Sequence, residues 1–124
     1  GGVLDNFPRL RVAFMEAGCG WVPFLMDRLD SYGELLRPQM PWKKFGPGEL
    51  LRSDRCYFAI DPEETMIGQV AARIGDSRLL YASDYAHHDC ICPDSVRTIR
   101  ERGDLTELEK QRILSDNASN LFKV

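Results

Sequence analysis

The sequence predicts an α/β fold made of parallel βαβ units. Short β-favouring runs alternate with segments of helical period along the chain. Each run is almost continuously apolar, as in strands covered on both faces or closed into a barrel. Glycines and prolines punctuate the junctions. The length, 124 residues, suits one domain, and 44% hydrophobic with 28% charged residues describes a globular chain.

Residues 11–16 read as the first strand, entered through Asn6-Phe7-Pro8-Arg9 and left through Gly18 and Gly20. Residues 21–36 change to helical period. Pro23 fits the first turn, Val22, Leu25, Leu29 and then Tyr32 or Leu36 form the apolar stripe, and Gly33 weakens the last turn. Residues 37–54 hold three prolines and two glycines, which leave room only for a short helix at 49–52. The second strand is Cys56–Ile60, ended by Asp61-Pro62. A helix is expected from Pro62-Glu63-Glu64 to Gly75, with its acidic residues at the positive end. The third strand covers 79–82. A helix follows Pro93-Asp94-Ser95 as far as Arg102 and the Gly103 stop. Residues 106–122 open with the capping box Thr106-Glu107-Leu108-Glu109 and are liable to break at Asp116-Asn117.

Composition excludes several functions. Sixteen Lys and Arg against nineteen Asp and Glu give a net charge of −3, without the basic surplus of a general nucleic-acid binder. Apolar stretches are interrupted by Glu16, Pro23 and Asp27, so no membrane span is expected. Gly1-Gly2 carries no basic, cleavable leader, and Cys19, Cys56, Cys90 and Cys92 lack the spacing of a disulfide framework. A cytoplasmic protein with reduced thiols is the expectation.

In parallel α/β proteins chemistry gathers at the carboxyl ends of strands. Glu16, Asp61 and Asp84 fall there. The stretch after the third strand is richest, holding Ser83, Asp84, His87, His88, Asp89, Cys90 and Cys92, including both histidines of the chain. Asp84 reads as a functional carboxylate. Glu16 reads equally as a site group or as a turn residue paired with an arginine, and Asp61 as a helix N-cap. Trp21 and Trp42 read as packing residues and Lys43-Lys44 as a solvated pair. Neither a phosphate-binding glycine loop nor a nucleophile elbow is present.

The segments Gly2 to Val12, Glu16-Ala17-Gly18-Cys19-Gly20-Trp21-Val22-Pro23 and Asp27-Arg28-Leu29-Asp30 resemble the later part of amidohydrolase-related proteins. The branch they resemble contains aminocarboxymuconate semialdehyde decarboxylase and related metal-dependent hydrolases. Ser83-Asp84-Tyr85-Ala86-His87 is similar to that family's final-strand motif, with Ala86 where proline is usual. Residues 113–122 resemble its Asn-Ala-x-x-Leu-Tyr ending.

The resemblance covers nearly the whole chain and implies the last three βα units and closing helix of a (β/α)8 barrel, residues 1–124 being one partial domain. It assigns to Asp84 the binding of a divalent metal, zinc by expectation, or the deprotonation of the water that metal binds. It further places His87 in or near the site. The His-x-His of the first strand and the histidine of the fifth would lie upstream. Glu16 stands where decarboxylase members carry a histidine and resembles another branch.

The implied activity is hydrolysis or non-oxidative decarboxylation of a small organic acid, with Asp84, Glu16 and His87 as the acting residues and the isolated chain inactive. No nucleic acid or membrane partner is expected, whereas open strand edges favour a homo-oligomer. Two other readings are a non-enzymatic flavodoxin-like binding domain and a metal-binding loop formed by His87, His88, Cys90 and Cys92.

Overall fold

The computed structural model describes residues 2–40 and 46–124. Trp42 and Lys43-Lys44 lie outside the described residues. The strands are β1 (Val12–Phe14), β2 (Cys56–Ile60) and β3 (Leu79–Tyr81). The helices are α1 (Val3–Asn6), α2 (Val22–Leu35), α3 (Pro47–Arg52), α4 (Ile67–Ile74), α5 (Ser95–Arg100), α6 (Glu107–Gln111) and α7 (Asn117–Phe122).

All three strands are parallel, in the order β1-β2-β3. Val12 and Phe14 stand beside Cys56 and Phe58, while Phe58 and Ile60 stand beside Leu79 and Tyr81. The paired stretch thus moves along β2 from one edge to the other, the stagger that tilted barrel strands require. Every residue of β2 is buried. Phe58 stacks on Phe14 at 5.3 Å and meets the edge of Trp21 at 5.7 Å. Phe14 and Trp21 complete the triad at 5.6 Å, so Trp21 is a packing residue as expected. Each such pair contributes about 0.5–1.5 kcal/mol beyond the burial of its apolar area.

The helices cover that face. Val22 and Met26 of α2, Ile67, Val70 and Ile74 of α4, Ile99 of α5 and Ile113 join Phe58 and Leu79 in one core. The stripe of α2 differs from the expected one: Met26 and Gly33 are buried, while Tyr32 faces out beneath the Arg28 guanidinium, 4.8 Å from its ring. Gly33 does not fray the helix, which continues to Leu35. α3 begins two residues earlier than expected, with Pro47 in its first turn. Asp30 of α2 accepts the Gly48 N–H at 2.7 Å, and a Cβ at Gly48 would run into that carboxylate.

Other boundaries depart from the sequence reading for local reasons. β1 and β3 are shorter because Glu16 (φ 55°) and Asp84 (φ 51°) turn the chain out of the extended region. α1, unforeseen, is a single turn tied to the start of β2 by the Arg55 guanidinium on the Leu4 carbonyl. α4 starts at Ile67, not at Pro62, so Asp61 caps no helix. α5 stops at Arg100, freeing Arg102 to bond the Pro62 carbonyl and grip Asp104 at 2.9 and 2.7 Å. The capping box at Thr106 forms as expected. The chain does not break at Asp116; a π-helical turn over Arg112–Asp116 carries it into α7.

That turn brings Asn117 into the interior, where its amide donates to the carbonyls of Asp76 (2.8 Å) and Leu79 (2.7 Å). Asn117→Ala would remove this donor from both carbonyls, leaving that of Asp76 with the Leu79 N–H alone, and should cost about 1–3 kcal/mol in chemical denaturation. Hydrogen bonding from Arg102 holds the Asp104 carboxyl below the usual carboxylate range, against a smaller opposing push from burial. Its contribution is therefore present above the ordinary carboxylate pKa and lost as pH falls through the depressed folded value. Asp104→Asn should unfold earlier than the parent at neutral pH and match it in acid, as read by thermal melts across pH.

Candidate active site at the strand ends

The carboxyl ends of the three strands open on one cavity of about 390 Å³. Its wall comes from three successive loops: Glu16 to Gly18 after β1, Asp61, Pro62 and Glu64 after β2, and Ser83, Asp84 and Asp89 to Ile91 after β3. Ala59, Ile60 and Ala82 complete the lining. Among the described residues, this wall carries five carboxylates and no Lys, Arg or His.

Glu16 and Asp84 occupy corresponding places at the two edges of the sheet. Both have positive φ, 55° and 51°, a conformation that costs an L-residue free energy and gathers at functional sites. Both are exposed to the cavity mouth, and neither carboxylate has a hydrogen-bond or ion-pair partner among the described residues. The arginine partner considered for Glu16 is thus not found there.

His87 is placed differently. Its N–H closes a turn on the Asp84 carbonyl at 2.7 Å, but the residue is exposed and takes no part in the lining. The tight turn that directs Asp84 inward leaves His87 and His88 on its outer side. Cys90 reaches the wall, whereas Cys92 is exposed.

Glu64 is the residue that sequence reasoning missed. It reads as an acidic residue in the first turn of a helix, yet it lies ahead of α4 and turns back. Its Oε1 accepts the N–H groups of Cys19 (2.8 Å) and Gly20 (3.0 Å), and its Oε2 that of Asp61 (3.0 Å). The available signal was the conjunction of Gly18 and Gly20, because a Cβ at Gly18 would collide with this carboxylate. Gly18 also has φ 59°, which favours glycine.

A divalent cation suits the wall in charge and ligand type, since carboxylate oxygens are its ordinary donors. Among the described residues no group of three or more His, Cys, Asp or Glu converges on one point. The four-residue histidine and cysteine loop gathers no such group either. No helix among the described residues is long and apolar enough to cross a membrane.

The parallel βα units, and their superposition on barrel structures, define the chain as part of a (β/α)8-barrel fold. It belongs to the amidohydrolase family, whose model matches residues 1–124. Family members generally bind divalent metals. An amidohydrolase from Mycobacterium avium subsp. paratuberculosis superposes with a TM-score of 0.84 and 28% identity, over 99% of this chain and 30% of that one. The 5-carboxyvanillate decarboxylase of Sphingomonas paucimobilis superposes at 0.81 and 22% identity, over 99% of this chain and 36% of its own, a likeness of fold. The chain therefore spans about a third of the length of these two structures. No curated protein matches the sequence.

The thiols divide sharply. Burial, followed by the negative Glu64 carboxylate, pushes Cys19 up to about 12, with Arg102 opposing. Burial likewise raises Cys56. Alkylation in mildly alkaline buffer should modify Cys90 and Cys92 and spare Cys19 and Cys56 until the chain is unfolded, as read by peptide mass spectrometry.

Proposed function

We propose that this chain forms the acid–base side of the active site in a metal-dependent amidohydrolase-family enzyme. The reaction is hydrolysis or non-oxidative decarboxylation of a small organic acid in the cytoplasm. One observation carries the reading: Glu16 and Asp84, both in the left-handed region, present unpartnered carboxylates to the same cavity from opposite edges of a parallel sheet.

Asp84 would hold the ion, zinc by expectation, together with ligands from other parts of the barrel. When bound, the ion supplies Lewis-acid polarisation of the group being cleaved. Asp84 accepts a proton at its free carboxylate oxygen. Glu16 orients the substrate or exchanges a proton with it from the facing edge. His87 reaches the substrate only from the rim, outside the cavity wall. The acidic wall repels an organic anion, so the acid group of the substrate faces the remainder of the barrel mouth. Both candidate reactions are named among barrels of this shape, an amidohydrolase and a decarboxylase.

Zinc titration of the chain by calorimetry tests the ligand assignment. Weak binding lost in Asp84→Ala and kept in His88→Ala and Cys90→Ala supports it; tight binding lost in the latter two overturns it. In the metal-loaded enzyme containing this segment, Glu16→Gln should lower turnover about 10²–10⁴-fold with the metal content unchanged. Parallel assays on aromatic acids and on amides decide between decarboxylation and hydrolysis.

A further inference from the structure

Helix α2 runs for fourteen residues, and its N-cap, Trp21, makes no side-chain cap hydrogen bond. The N–H groups of Cys19 and Gly20 just ahead of it are instead bound by Glu64, from the next βα unit and 45 positions beyond Cys19. A carboxylate at the positive end of α2 is stabilised by the helix dipole as well as by these hydrogen bonds. The same side chain holds Asp61 N–H, so one group joins the loop after β1 to the loop after β2.

This fixes the path of the chain between the sheet and α2. Phe14 is held by pairing with β2, and Cys19 is held by Glu64. The Trp21 indole N–H further closes on the Gly18 carbonyl at 2.9 Å. Only residues 15–18 lie between the two anchors, and they contain both positive-φ positions of the loop, Glu16 and Gly18. Such a conformation persists where the surroundings over-determine it.

We infer that Glu64 is a positioning residue: its carboxylate clamps the Cys19–Gly20 backbone and so holds Glu16 in the left-handed conformation that faces the cavity. Its oxygens are occupied by backbone donors, so it acts through Glu16 and not on the substrate. The catalytic importance of the clamp rests on the function proposed above, whereas the clamp itself is a property of the backbone.

Nuclear magnetic resonance of the full 124-residue chain tests it. In Glu64→Ala, hydrogen exchange at the Cys19 and Gly20 amides should accelerate about tenfold or more, as loss of charge-assisted bonds implies. The backbone coupling constant that reports φ at Glu16 should move toward the value of an averaged loop. Glu64→Gln, which keeps a carbonyl acceptor, should restore part of both effects. Asn117→Ala, destabilised elsewhere, should leave the Glu16 coupling unchanged.

Gly18→Ala approaches the contact from the other side. It should destabilise the parent more than the Glu64→Ala chain, where only the φ penalty remains. Unchanged exchange at Cys19 and Gly20, or an unchanged Glu16 coupling, in Glu64→Ala overturns the proposal. A responsive Glu64→Ala chain beside a metal-loaded enzyme indifferent to Asp84→Asn would support the clamp and count against the catalytic reading alone.

Discussion

Burial of β2 on both faces is the constraint from which the rest of the structure follows. A strand as apolar as Cys56–Ile60 must be flanked in the sheet and covered by helices. β1 and β3 flank it, and α2, α4 and α5 supply the core residues on the helical side. Because both neighbours run parallel to β2, their carboxyl ends emerge together. The loops that must turn there have no sheet partners of their own, and polar side chains collect among them.

The electrostatics of the cavity follow from the same arrangement. Five carboxylates share one wall, and among the described residues Glu64 alone has its oxygens engaged by backbone donors. The remaining negative charge is poorly balanced within the described residues. That is a cost to folding and an attraction for a cation. The nearby buried thiol of Cys19 feels the same charge, which adds to the effect of burial in keeping it protonated.

Much of this was legible in the sequence. The three strands, the long helix after β1, the capping box at Thr106 and the strand-end position of Glu16 and Asp84 all follow from period, punctuation and polarity. The family resemblance rested on residues 2–12, 16–23 and 27–30 together with Ser83 to His87 and the C-terminal motif. The structure gives the latter a physical sense, since Asn117 ties the last helix to the start of β3. What stayed hidden depends on side chains reaching across the chain. Asp61 looked like a cap because it precedes a proline, yet Glu64 turned the chain back and delayed α4 to Ile67. His87 looked equivalent to Asp84 in sequence, but the turn between them sends the two residues to different sides.

The long reach of Glu64 also bears on the order in which the polypeptide can acquire structure. During vectorial synthesis α2 emerges well before residue 64, and a lone helix of its length is marginal in water. Its first turn gains the Glu64 contacts only once β2 and the loop beyond it have left the ribosome. This βα unit therefore completes its hydrogen bonding only when its successor arrives, and the mouth of the cavity takes shape with it.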